Sequence, residues 1–188
     1  VTETPDEKLE LVLPDLSLRE DFLEMCREYL VHGNPHERML FGRALSDFAG
    51  YVQQCRNDSA GIDLELDQVP QTTFWLVRDG ERIVAMSRLR HELTPHLLHE
   101  GGHIGYGTRP SERGRGYGKI ICAKTLIEAR EAGIDPVLIT CDDGNVASAK
   151  IIEANGGVLE NTVIARENGR PRRRYWVHVG PPRGNKQP

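Results

Sequence analysis

A chain of 188 residues with 38% hydrophobic and 28% charged residues suits one soluble globular domain with a sizeable core. A net charge of −4 argues against a general nucleic-acid binder, and no apolar run reaches the length of a membrane span. Cys26, Cys55, Cys122 and Cys141 are scattered and form no C-x-x-C pair, the pattern of reduced thiols in a cytoplasmic protein.

Residues 1–7 are polar and acidic, lack the basic start and apolar stretch of a signal peptide, and are expected to be extended or disordered. Lys8 to Leu13 reads as a short strand ended by Pro14. Leu16 to Val31 has a helical rhythm in Leu16, Phe22, Leu23, Met25, Cys26, Tyr29 and Leu30. After the break His32-Gly33-Asn34-Pro35, a second helix is expected from about His36 to Gln54. Its apolar side is Met39, Leu40, Ala44, Leu45, Phe48 and Val52, and Arg56 to Gln71 reads as a loop. Thr72 to Val77 and Arg82 to Arg90 flank Arg78-Asp79-Gly80-Glu81, and Asp-Gly between two strand-like runs predicts a hairpin.

His91 to Glu100 is a connection, and Gly102 to Thr108 reads as a strand despite its glycines. Gly114 to Ala132 predicts a helix with Ile120, Ala123, Leu126 and Ile127 inward and Gly133 as terminator. Pro136 to Cys141 is a buried strand. Asn145 to Asn155 is a helix capped by Asn145 and stopped by Gly156-Gly157. Val158 to Ala165 and Arg174 to Val179 are strands, and residues 181–188 form a frayed tail. The order β-α-α-β-β-β-α-β-α-β-β predicts an α/β (α+β) domain over residues 8–180 around one mixed sheet, with a locally parallel centre.

The most informative stretch runs from Thr108 to Ile121. A strand ends, a short turn follows, and Arg113-Gly114-Arg115-Gly116-Tyr117-Gly118 leads into a long helix. Glycines let the backbone approach a ligand, and the first N–H groups of the helix favour an anion. Arg109, Arg113, Arg115 and Lys119 add positive charge against Glu112. A diphosphate suits such a turn. A Walker loop requires Gly-Lys-Ser/Thr, whereas Lys119 is followed by Ile120. A dinucleotide fingerprint requires G-x-G-x-x-G, whereas the glycines here are Gly114, Gly116 and Gly118. The competing reading of the turn is a tightly packed helix start with arginines facing water.

With Arg113, Gly116 and Gly118 in the spacing Arg/Gln-x-x-Gly-x-Gly/Ala, Pro110 three residues earlier, and Asn145, Ser148, Glu153 and Gly156 in the next helix, the chain resembles the GNAT superfamily of N-acetyltransferases. The segments Gly101-Gly102-His103-Ile104-Gly105-Tyr106 and Arg173-Arg174-Tyr175-Trp176 look like a subgroup of predicted acetyltransferases with unassigned substrate. The resemblance implies a single domain with a mostly antiparallel sheet of about six to seven strands and about four helices. It implies acetyl-CoA as donor and an unidentified primary amine as acceptor, joined by direct attack in a ternary complex. The pantetheine arm would lie along Ile104, Tyr106, Gly107 and Thr108, like an added strand. The pyrophosphate would sit on the turn from Arg113 through Gly114, Arg115, Gly116, Tyr117 and Gly118 to Lys119, with Asn145 and Ser148 close by.

Amine acylation needs a proton acceptor, and the leaving thiolate takes a proton. In many family members a tyrosine in the last helix is the acid, whereas the matching position here is Ile152. His103, with Glu100 or Glu92 assisting, is the base candidate, against the plain reading of an edge histidine. His96, His99 and His103 are spaced for a metal, but the glycine pair before His103 breaks the helix and no ligand set is complete, so none is expected. Arg88, Arg90 and His91 are either an acidic-acceptor site or exposed strand-end charges. Arg170 to Trp176 is basic and aromatic, which suits an RNA contact or a solvated hairpin; with a net charge of −4 the hairpin is the reading and no nucleic-acid partner is expected. No membrane partner is expected, and a homodimer is left open. The alternative to catalysis is a non-catalytic acyl-CoA-binding module that senses CoA status.

Overall fold

The computed structural model describes residues 7–33, 41–42, 44–166 and 168–182. The expectations for residues 1–6 and 183–188, and for Met39 and Leu40 in the second helix, lie outside the described residues. Seven strands form one sheet: β1 (Leu9–Val12), β2 (Gln71–Arg78), β3 (Arg82–Arg90), β4 (Ile104–Thr108), β5 (Val137–Asp142), β6 (Val158–Ile164) and β7 (Pro171–Val177). Their spatial order is β1-β2-β3-β4-β5-β7-β6. All neighbours are antiparallel except β4 and β5, which the crossover through α3 (Tyr117–Glu131) makes parallel.

Helices cover both faces. On one side α1 (Arg19–His32) and α2 (Phe48–Ala60) set Phe22, Met25, Tyr29, Phe48 and Val52 against Trp75, Val77, Ile83 and Met86. Phe22 stacks on Trp75 at 4.8 Å between centroids, a contact worth about 0.5–1.5 kcal/mol beyond area burial. On the other side α3 and α4 (Val146–Ala154) set Cys122, Leu126, Ala129, Ala149 and Ile152 against Phe74, Leu89, Ile104 and Ile139. All four cysteines are buried free thiols.

The Asp79-Gly80 hairpin forms as expected. Both residues have positive φ, 53° and 76°, and Glu81 N–H closes on Arg78 C=O at 3.1 Å. Two helices differ from the sequence reading. The stretch expected from His36 to Gln54 is interrupted at Asp47, whose Oδ1 accepts from Gly50 N–H at 2.9 Å and starts α2. α2 then runs through the expected loop to Ala60 and ends at Gly61 in the left-handed conformation. Its last turns are polar and lean on Gln53–Asn57 and Gln54–Asp58 side-chain bonds, so no apolar rhythm announces them. In α3 the inward row is Ile121, Cys122, Thr125, Leu126 and Ala129, whereas Ile127 faces solvent. A buried Ser87–Thr125 hydroxyl bond of 2.6 Å sets this rotation, a polar contact that a hydrophobic pattern does not register.

A further difference concerns Arg109, expected to add charge to the phosphate turn. It is fully buried and faces α1 instead. Its Nε donates to Glu28 at 2.6 Å and Nη1 to Asp21 at 2.8 Å, while Nη2 lies 2.9 Å from Glu24 Oε1 without hydrogen-bond alignment. Glu28 also accepts from Ser111 N–H at 2.9 Å, which ties the turn after β4 to α1. Removing one partner from such a buried cluster strands the others. Arg109→Met is expected to cost about 3 kcal/mol or more in urea unfolding. A change within experimental error would show that the cluster does not hold α1 to the sheet.

Candidate active site

The site begins where β4 and β5 separate. They share one register pair, Ile104 opposite Ile139, and no further pairing beyond it. On its other edge β4 is fully paired with β3, from Leu89 opposite Ile104 to Ala85 opposite Thr108. Arg90 N–H bonds His103 C=O and Arg109 N–H bonds Val84 C=O. By antiparallel alternation, Gly105 and Gly107 then turn their backbone groups to β3, and Tyr106 and Thr108 turn theirs toward β5. With β5 diverging, those groups line an open slit.

Local chemistry at the entry to β4 sets the divergence. Gly102 has a φ of 69°, and a Cβ there would stand 2.8 Å from Leu138 O. His103 N–H donates to that carbonyl at 2.7 Å. Its Nδ1 accepts from Leu138 N–H at 2.9 Å, so a side chain takes the place of a backbone acceptor. The carbonyls of Gly101 and Gly102 accept instead from Arg90 Nη1, at 3.3 and 2.9 Å. Burial, and then the charge of Arg90, push the His103 pKa down to about 4. The ring is therefore neutral near pH 7, with its lone pair held by Leu138 and its proton on Nε2. This geometry weighs against a base role for the imidazole.

Glu100 lies in the π-helical turn Leu97–Gly101 and is almost completely buried. Its Oε1 accepts from Arg166 N–H at 3.1 Å and lies 3.2 Å from His96 Nδ1, while Oε2 has no partner among the described residues. Its backbone carbonyl accepts from Thr140 Oγ1 of β5 and Arg172 Nη1 of β7. His96, His99 and His103 do not converge: they face Glu100, Ile164 O and Leu138 N–H in turn. Among the described residues no group of three or more His, Cys, Asp or Glu could hold a metal ion.

At the far end of β4 the chain turns through Arg113 to Gly118 into α3. Gly114 and Gly116 have φ of 81° and 89°, and α3 starts without a side-chain cap. Among the described residues no protein acceptor faces the N–H groups of Gly114, Arg115, Gly116, Tyr117 or Gly118. Consecutive free N–H groups at a helix start form an anion nest. Arg113 and Lys119 are exposed at its rim. Arg115 is committed to Glu112 at 3.2 Å, and Glu112 also takes Arg78 and Arg82. The Tyr117 side chain points inward, its hydroxyl accepting from Arg78 at 2.9 Å, so only its N–H belongs to the nest. Gly118 serves packing: a Cβ would stand 2.8 Å from Ile151 Cδ1 and 3.2 Å from Thr108 Oγ1.

Asn145 and Ser148 sit across the slit from Tyr106. Asn145 Oδ1 caps α4 through Ser148 N–H at 3.0 Å, leaving its amide NH2 for other partners. Tyr106 hydroxyl lies 2.8 Å from Ser148 Oγ, and burial holds it protonated by raising its pKa. Ile152 is fully enclosed in the core, so no acid stands at that position.

A family model described as the acetyltransferase (GNAT) family matches residues 44–156, more than half of the chain. The chain belongs to the GNAT acetyltransferase family. No curated protein matches it in sequence. Its fold is shared with RimL, the ribosomal L7/L12 alpha-N-protein acetyltransferase solved in complex with coenzyme A: TM-score 0.67, 16% identity, 90% of this chain and 93% of that one. Mycobacterium smegmatis RimJ in complex with CoA-disulfide is similar too: TM-score 0.67, 13% identity, coverage 90% and 81%. So is the microcin C7 self-immunity acetyltransferase MccE in complex with acetyl-CoA and AMP: TM-score 0.64, 15% identity, coverage 92% and 93%. At these identities the likeness is one of fold. No helix among the described residues is long and apolar enough to cross a membrane.

Sequence reasoning missed the Arg109 cluster, although Asp21, Glu24 and Glu28 stand at helical spacing on one face of α1 and call for a cation.

Two pH ranges separate the site groups. His103 has a folded pKa of about 4 against 6.5, so its contribution to stability is complete above about pH 6.5 and is lost as pH falls toward 4. Glu28 and Glu112 feel burial first, but Ser111 and Arg109 for one, and Arg82 and Arg78 for the other, outweigh it and lower both pKa values. Their contributions are lost at lower pH, as it falls through those folded values. Melting temperature followed from pH 7 to 4 is expected to fall less steeply in His103→Asn than in the wild type. Parallel curves would show that His103 is not buried as a neutral ring.

Proposed function

We propose that the chain is an N-acetyltransferase that moves an acetyl group from acetyl-CoA to a primary amine in a ternary complex. The slit between β4 and β5, continuous with the free N–H groups of Gly114 to Gly118, carries this reading. An extended amide-bearing arm followed by a diphosphate fits that shape: strand-like pairing first, an anion nest next. Acetyl-CoA supplies the acyl thioester. The backbone groups of Tyr106 and Thr108 hold the arm, with Ile104 at its inner end. The nest, with Arg113 and Lys119, holds the diphosphate, and the Asn145 amide and Ser148 hydroxyl line the opposite wall.

The backbone near Tyr106 supplies an N–H toward the acyl oxygen, where developing charge gains most from a fixed donor. Of the two proton-acceptor candidates, Glu100 has the free atom, Oε2. His103 then acts as a positioning residue that sets where β4 leaves β5. Glu100→Gln is expected to lower kcat by about 100-fold and remove the acid limb of the pH–rate profile. A limb that persists would assign the proton to water. His103→Asn is expected to leave the profile above pH 6 unchanged.

Gly116, rather than Gly118, is the position at which to test the nest. A Cβ at its φ of 89° costs about 1–2 kcal/mol of local strain. Gly116→Val is expected to weaken CoA binding by about tenfold or more in calorimetry while the chain stays folded by circular dichroism. Unchanged affinity would remove the turn from the site. A second reading, an acyl-CoA-binding module without turnover, draws on the enclosed Ile152, where an acid would stand. CoA binding with no thiol release across an amine panel would favour it.

A further inference from the structure

Across the sheet from the acyl slit, a different surface opens over β4. Gly105 is exposed although β4 lies in the middle of the sheet, and a Cβ built on it meets nothing within 4 Å. Its Cα partner on β3 is Arg88, whose side chain leaves the sheet on the same face. Gly105 is also the first residue after the last β4–β5 pair, so this open strip borders the point where the slit begins.

The Arg88 side chain has no hydrogen bond or ion pair among the described residues, and the residue is only half-exposed. The contrast with the other arginines of the sheet is sharp. Arg78 is paired with Glu112, Arg82 with Asp21 and Glu24, Arg172 with Asp142, Arg173 with Asp143 and Arg174 with Glu160. The charge of Arg88 reaches the Tyr51 hydroxyl, the Cys55 thiol and Arg90. Arg90 itself bonds only backbone carbonyls. Two guanidiniums therefore sit side by side, without an anion, at the floor of an open strip. Across that strip lies the loop of Glu100, held on Thr140.

We propose that the acceptor amine also carries a carboxylate, and that Arg88 is the specificity residue that binds it over Gly105. This rests on the acetyl-CoA reading of the slit. A planar guanidinium takes a carboxylate through two parallel bonds, and the single charge of that carboxylate matches the single unengaged guanidinium. An amino acid bound so places its amine away from Arg88, toward the strand end where the acyl slit and Glu100 lie. Diamines and polyamines are disfavoured by the same pair of positive charges.

The test uses the full chain with acetyl-CoA and amines of matched length: β-alanine, n-propylamine, 1,3-diaminopropane and 2-aminoethylphosphonate, with the α-amino acids alongside. Carboxylate-bearing amines are expected to have the highest kcat/KM. Arg88→Gln is expected to lower kcat/KM for them by about 10- to 100-fold, with Arg88→Lys in between and the acetyl-CoA KM unchanged. Thermal melts establish that both variants are folded. Preference for the diamine, propylamine or the phosphonate would overturn the proposal. So would an equal loss for charged and uncharged amines in Arg88→Gln, or bound CoA with no amine in the panel acetylated. Failure of the wild type to bind CoA in calorimetry would instead sink the donor reading, and this inference with it.

Discussion

The site depends on a parallel strand pair that is allowed to fail. β4 and β5 meet at Ile104 and Ile139 and then diverge, in the middle of a sheet whose other junctions are antiparallel ladders. A gap at that place would normally expose unpaired N–H and C=O groups at a cost. Here the junction is closed on one side by side chains: His103 accepts from Leu138 N–H, and Arg90 takes the carbonyls of Gly101 and Gly102. Unpaired groups remain along Tyr106 and Thr108, where an extended ligand can use them.

The acidic cluster around Arg109 anchors the other end of that strand. The C-terminal end of β4 is tied to α1 through Glu28, which holds both Arg109 and Ser111. Glu112, next in the turn, is held by Arg78 and Arg82 of the hairpin and holds Arg115 in return. The turn that presents free N–H groups is thus fixed by charges that face away from it. Arginines that read as ligands for phosphate divide into those that build the turn, Arg109 and Arg115, and those left at its rim, of which Arg113 is one.

The two faces of β4 present different surfaces. The face toward α3 and α4 carries Tyr106 against Ser148, and the face toward α1 and α2 carries the open strip at Gly105 beside Arg88. A glycine at that position leaves room on one side without disturbing the pairing on the other. The proposed donor slit and acceptor strip would therefore meet at one residue, and proximity of the two reacting groups would follow from the sheet itself.

The sequence by itself determined the family, the order of elements and the place of the glycine turn that leads into α3. Those rest on local chemistry: glycines at positive φ, Asn145 as a cap, Asp79-Gly80 as a turn. Such features are decided by a residue and its near neighbours, so spacing reveals them. The tertiary structure alone decided what the charged and polar side chains do. Arg109 left the nest for α1, His103 became a neutral bridge to Leu138, and Arg88 was left without an anion. Each of those outcomes depends on which distant group is within about 3–4 Å, since short-range hydrogen bonds and burial outweigh the bare charge read from the sequence. The junction at Ile104 and Ile139, residues far apart in the chain, is likewise a tertiary outcome.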